Sequence, residues 1–168
     1  MLCVVCGSFF LLPILAVVYY RIKKDSSGDA IYAGKRLGQD GILFPCYKFR
    51  SMYLDAEERK KELMEQNRVK DGMMFKLDWD PRIIGSKKLP DGTVKKGIGN
   101  YIRDWSLDEF PQFFNILKGD MSIVGPRPSL PREVAQYDDR ARQRLRVTPG
   151  LTCYWQIQPN RNDITFEQ

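Results

Sequence analysis

Histidine is absent from this 168-residue sequence. Without an imidazole, proton transfer near neutral pH falls to carboxylates, cysteine, lysine, tyrosine or the substrate, and every histidine-based triad is excluded. Cysteine is sparse, at four residues, and Cys3 and Cys6 form a C-x-x-C inside an apolar run with no second pair. That context supports neither a redox motif nor a zinc site. All four, including the isolated Cys46 and Cys153, read as reduced packing residues. Long apolar runs are equally scarce: the one that stands out covers Met1 to Tyr20. No internal repeat or low-complexity tract interrupts the rest.

What is present is one domain's worth of chain with a formal charge of +6 and a pI near 9.2. Such a surplus suits a partner that carries phosphates: nucleic acid, a nucleotide, or an anionic membrane surface.

The stretch Trp105 to Pro128 concentrates the chemistry. Ser106 three residues before Glu109 has the form of a capping box. Leu107, Phe110, Phe114 and Leu117 recur at helical spacing, and Gly119 is a natural stop, so an amphipathic helix is predicted with Asp108 and Glu109 in its first turn. Acidic residues there are common simply because they complement the helix dipole. Their company is less ordinary, because Gly125-Pro-Arg-Pro128 places Arg127 between two prolines that narrow where its guanidinium points. Adjacent helical residues diverge by about 100°, so Asp108 and Glu109 are expected to do different jobs.

Along the chain, the apolar segment ends at Arg21, Lys23 and Lys24, and Pro13 falls near its middle. Two readings stand: a plain transmembrane anchor kinked at proline, or a segment that breaks, dips into one leaflet and returns. Ala30 to Met52 predicts a β-hairpin turning at Gln39-Asp-Gly41, and alternation in Tyr47-Lys-Phe-Arg50 puts Lys48 and Arg50 on one face as a pair of cations for a diphosphate. Asp55 begins a charged helix through about Arg68, with Glu57 and Lys61 spaced for an ion pair. Asp71 to Gly99 reads as loop and short strands, with turns at Asp80-Pro81 and Pro90-Asp-Gly92 and lysines flanking the second. Pro131 starts another helix, Asp138 to Arg146 is a charged helical face, and Pro149 to Gln156 is strand-like. The basic helix has no helix-turn-helix, zinc or RNP pattern beside it, which argues against nucleic acid.

Ser106-Leu-Asp-Glu-Phe-Pro-Gln, Asn115-Ile-Leu-Lys-Gly-Asp-Met-Ser and Val124-Gly-Pro-Arg-Pro128, with Tyr47-Lys-Phe-Arg-Ser-Met52 and Arg161-Asn-Asp163, resemble the bacterial sugar transferases. These are monotopic polyprenyl-phosphate phosphoglycosyltransferases that start exopolysaccharide and glycan assembly. The resemblance implies transfer of a sugar phosphate from a nucleotide diphosphate sugar to a polyprenyl (undecaprenyl) phosphate, with release of nucleoside monophosphate. It implies Asp108 as the nucleophile that carries the phosphosugar, Glu109 as its assistant, and Mg²⁺ held by both. Lys48, Arg50, Arg127, Arg146 and Arg161 are the candidates for holding phosphates.

The implied fold is α/β (mixed α+β), a small compact domain with a β-hairpin and surface helices. Residues 1–24 would form a re-entrant membrane helix-break-helix and residues 25–168 a catalytic domain on the cytoplasmic face of the membrane, with lipid bilayer as partner and an oligomer allowed. Relatives carry basic sequence before the apolar segment and helical sequence after the end, so truncation at both ends is expected. They commonly have glycine where this chain has Cys153 and Asn160. Two other readings are a membrane-anchored basic module for nucleic acid or acidic polymer, resting on charge alone, and a glycosyltransferase that would release nucleoside diphosphate.

Overall fold

The computed structural model describes residues 2–64, 77 and 79–154, with side chains from Leu12 onward. By its internal packing the chain divides into two units, Met1–Tyr32 with Lys48–Phe110, and Ala33–Tyr47 with Pro111–Gln168.

In the first unit, α1 (Leu2–Asp25) sets Leu15, Val18 and Ile22 at helical spacing against Ala30, Phe49, Ile84 and Ile102. Ile22, Ile84 and Ile102 are no more than 1% exposed, and each buried side chain of this size contributes roughly 1.5–3 kcal/mol. Between Leu12 and Tyr20 the outward face of α1 is apolar as well, with Leu12, Ile14, Val17, Tyr19 and Tyr20 all exposed. Where a helix-break-helix was expected, α1 continues through Pro13. Proline removes one donor and crowds one carbonyl, which bends a helix while the turns on either side keep their bonds. Among the described residues no helix is long and apolar enough to cross a membrane.

The charged helix is short, α2 (Ala56–Glu62), and Asp55 makes no side-chain cap. Glu57 instead meets Lys60 at 3.9 Å on an exposed face, where such pairs contribute little. The lysine-flanked turn is an antiparallel hairpin as expected, β3 (Lys87–Lys88) on β4 (Val94–Lys95). Asp91 closes it by accepting from the Thr93 N–H and hydroxyl. Asp80 does more than turn the chain. It takes two bonds from the buried Arg82 guanidinium, at 2.8 and 2.7 Å, which hold its carboxyl below the usual range against the opposing effect of burial. A further helix, α3 (Ile98–Asp104), occupies residues that periodicity had left unassigned.

The hairpin β1 (Ile31–Leu37) and β2 (Leu43–Phe49) forms as predicted, and the unit boundary falls within both strands. Asp40 and Gly41 supply the positive φ angles of its tip, 55° and 76°.

The second unit contains α4 (Gln112–Lys118), stopped by Gly119 at φ 87°, a conformation that glycine adopts without steric cost. This helix overturns the predicted facing: Phe114 and Leu117 are exposed, whereas Asn115 is fully buried. The reason is hydrogen bonding. Asn115 Oδ1 accepts from Tyr47 N–H at 3.0 Å and Nδ2 donates to the Pro45 carbonyl at 2.7 Å, so the carboxamide pairs with β2 as another strand would.

Phe44, Cys46, Met121 and Ile116 form this unit's small core. Strand β5 (Ser122–Val124) runs parallel to β6 (Gly150–Thr152). At their ends Gly125 and Gly150 touch backbone to backbone, leaving no room for a Cβ on either. Pro131 opens α5 (Pro131–Val134). Asp138 caps α6 (Asp139–Arg142) through Ala141 N–H at 2.7 Å, and a 3₁₀ turn over Gln143–Arg146 follows. Cys46 and Cys153 are buried and not disulfide-bonded, as expected, while the side chains of Cys3 and Cys6 lie outside the described set. The fold class is the mixed α/β one that the sequence implied.

Candidate active site

The predicted capping box does not form. Ser106 sits in the left-handed region at φ 55°, without a side-chain cap, and Leu107–Glu109 make a single 3₁₀ turn. Pro111 lies between that turn and α4 and has no N–H to give the Leu107 carbonyl, so one continuous helix cannot run across it. Asp108 and Glu109 therefore project from a tight turn after α3 and not from the first turn of a longer helix. A non-glycine residue at positive φ beside a carboxylate pair is the kind of local strain that sites retain.

Leu107 and Phe110 anchor this turn by packing on the first unit's core. The two carboxylates between them meet Lys48 from β2. Its Nζ lies 2.9 Å from Glu109 Oε1 and 3.8 Å from Asp108 Oδ2. Divergence around the turn shows in those distances: Glu109 takes the hydrogen bond, and Asp108 keeps only the longer-range attraction. Burial raises the Asp108 pKa, Glu109 beside it adds to the rise, and Lys48 and Arg103 oppose it. The longer helix whose dipole the acidic pair was expected to complement is absent, and the direction of the Asp108 shift is set first by burial. Low dielectric surroundings dominate, and the cation is what keeps the carboxylate in use. Arg103, in the last turn of α3, was missed from sequence because that helix was not recognised.

Arg50 is not placed beside Lys48. It follows the end of β2, is 7% exposed, and turns inward onto the Ser26–Asp29 segment that follows α1. Its Nε donates to the Asp29 carbonyl at 2.6 Å, and its terminal nitrogens donate to Ser26 Oγ and the Ser27 carbonyl, both at 2.7 Å. Carbonyls of this segment, outside any helix or strand ladder, explain why a guanidinium is drawn there.

In the second unit, Arg127 stands exposed on the Gly125–Pro128 loop, and among the described residues no hydrogen bond or ion pair engages its guanidinium. The loop itself is tied down: Gly125 N–H donates to the Thr152 carbonyl at 3.0 Å and Gly150 N–H to the Pro126 carbonyl at 2.9 Å. Arg146 is exposed at the end of its 3₁₀ turn, where its carbonyl takes a bond from Gln39 Nε2 at 3.4 Å. Arg161 lies outside the described residues.

Among the described residues no group of three or more histidine, cysteine or acidic side chains could hold a metal. Two neighbouring carboxylates are nonetheless a fitting partial set for Mg²⁺, which takes one or two protein oxygens and completes its shell with phosphates and water.

The bacterial sugar transferase model matches residues 1–168. This chain belongs to that family. Among its relatives, undecaprenyl-phosphate galactose phosphotransferase of Salmonella typhimurium is 41% identical over 98% of this chain and 33% of its own length. Galactosyl transferase CpsE of Streptococcus agalactiae is 44% identical over 98% and 32%. The exopolysaccharide production protein ExoY of Sinorhizobium fredii is 36% identical over 92% and 64%. The chain thus spans about a third of the first two bacterial sugar transferases and under two thirds of the third.

Proposed function

We propose that this bacterial sugar transferase moves a sugar 1-phosphate from a nucleotide diphosphate sugar to undecaprenyl phosphate. The observation that carries the reading is the half-buried pair Asp108 and Glu109 gathered on Lys48, in a chain whose relatives are named for undecaprenyl-phosphate sugar transfer. Asp108 attacks the sugar-linked phosphorus, the phosphoanhydride bond breaks, and nucleoside monophosphate leaves with the bonding electrons. An oxygen of undecaprenyl phosphate then attacks the same phosphorus and releases the aspartate. Because Lys48 bonds directly to Glu109, it holds that carboxylate in place while Asp108 remains available. Asp108 and Glu109 would hold Mg²⁺, which would supply charge neutralisation for the diphosphate. Arg127, Arg146 and Arg161 are assigned to substrate phosphates, with Arg127 foremost because no described residue engages its fork.

The outward apolar side chains of α1, Leu12, Ile14, Val17, Tyr19 and Tyr20, support insertion of this helix into lipid. We place it as a proline-bent segment that returns to the cytoplasmic face. Cysteine labels near Met1 and Lys24 should then both react from that face, and labelling from opposite faces would mean a simple span.

The test of the activity is incubation of membranes containing the full protein with a panel of labelled nucleotide sugars and undecaprenyl phosphate. Lipid-linked sugar phosphate and nucleoside monophosphate are expected. Release of nucleoside diphosphate would make it a glycosyltransferase of another kind.

A further inference from the structure

Pro126 and Pro128 have no backbone N–H, so the loop that presents Arg127 can be fastened at these residues only through its carbonyls. The donors come from other segments. Gly150 N–H reaches the Pro126 carbonyl at 2.9 Å, Leu37 N–H reaches the Ser129 carbonyl at 2.9 Å, and Arg36 Nη1 reaches the Pro128 carbonyl at 3.3 Å. Ser129 is held a second time, its buried hydroxyl 2.9 Å from Tyr137 Oη. The Gly150 and Leu37 contacts belong to backbone pairing that persists whatever side chains stand there. Arg36 supplies a side-chain donor to the carbonyl of the residue next to Arg127, from a half-buried position on β1. Pro128 is itself buried, so its carbonyl has little water to turn to if that donor is lost.

We propose that Arg36 is a positioning residue for Arg127: by holding the Pro128 carbonyl it fixes the direction in which Arg127 offers its guanidinium to a phosphate. This rests on the reading that Arg127 binds substrate phosphate. Arg36 acts through the peptide and not on the substrate. A planar guanidinium on a stiffly held loop loses less freedom on binding than a mobile one, and small misplacements of such groups are costly.

The test is a double-mutant cycle in membranes containing the full protein, using the nucleotide sugar they turn over. Arg36→Met should lower kcat/KM about tenfold to a hundredfold, the order expected for a displaced binding group, while lowering the thermal midpoint by only a few degrees. Arg36→Lys, which keeps a shorter donor, should recover part of that loss and serves as the readout if Arg36→Met folds poorly. In an Arg127→Ala background, Arg36→Met should cause no further loss. Multiplied losses would mean that Arg36 acts independently, and a wild-type Arg36→Met would mean that the tether is idle; either overturns the proposal. Full activity of Arg127→Ala would remove the reading of Arg127 itself, and the proposal with it.

Discussion

Asp108 and Glu109 meet their counter-charge inside the fold, on Lys48, whereas Arg127 meets none among the described residues. The acidic centre is half-buried on a strained turn and balanced by a neighbouring cation. The basic one is exposed on a loop whose backbone is fixed and whose side chain is not. The difference separates two ways of preparing for a charged substrate. A carboxylate that must attack phosphorus needs burial to be reactive and a cation to stay ionised. An arginine that must seize a phosphate needs only an open fork at a fixed place.

Removing the proposed nucleophile breaks the comparison most severely. Asp108→Asn should lower turnover by more than about a thousandfold, the scale on which losing an enzymatic nucleophile is felt, measured as lipid-linked product. Arg127→Lys keeps the charge and loses the planar fork, so kcat/KM should fall about tenfold to a hundredfold while thermal unfolding stays unchanged. Activity near wild type would make Arg127 a turn residue only.

A third change sharpens the contrast with a pair whose partners both lie within one turn of the chain. Asp80→Asn takes away the carboxylate that accepts two bonds from the buried Arg82 guanidinium and should cost about 1–3 kcal/mol of unfolding free energy. Because the folded Asp80 carboxyl titrates below its ordinary value, its stabilisation is present above the unfolded pKa and lost as pH falls through the folded one. The cost of Asp80→Asn should therefore fade in acid.

The smallest effect is the stability of Asp108→Asn itself, measured with a chelator present. The folded Asp108 pKa lies above its ordinary value, so its ionised form weakens the fold at neutral pH, and the amide should leave stability unchanged or raise it by up to about 1 kcal/mol. That gain should vanish as pH falls below the unfolded pKa. A clear loss would restore Asp108 to the role of a cap.

The hairpins were legible because Gln39-Asp-Gly41 and Pro90-Asp-Gly92 are local signals, and the ends of α4 and α5 because Gly119 and Pro131 act within one residue. Asp108, Glu109 and Arg127 were legible as motifs. Their setting was not: Pro111 divides what periodicity joined, and Asn115 outranks Phe114 for the interior because its carboxamide satisfies β2. Arg50 illustrates the same limit. Alternation placed it beside Lys48, but the open carbonyls after α1, more than twenty residues away in sequence, claim it. Long-range hydrogen bonds of this kind leave no period in a sequence.

The central claim is that Asp108 becomes covalently bonded to the phosphosugar, and mass spectrometry of the protein incubated with Mg²⁺ and the nucleotide sugar alone tests it most directly. The account predicts an adduct of one phosphosugar on Asp108, nucleoside monophosphate released in equal amount, and neither in Asp108→Asn. Sugar transfer at an appreciable rate by Asp108→Asn, with no adduct on the wild-type protein, would contradict it.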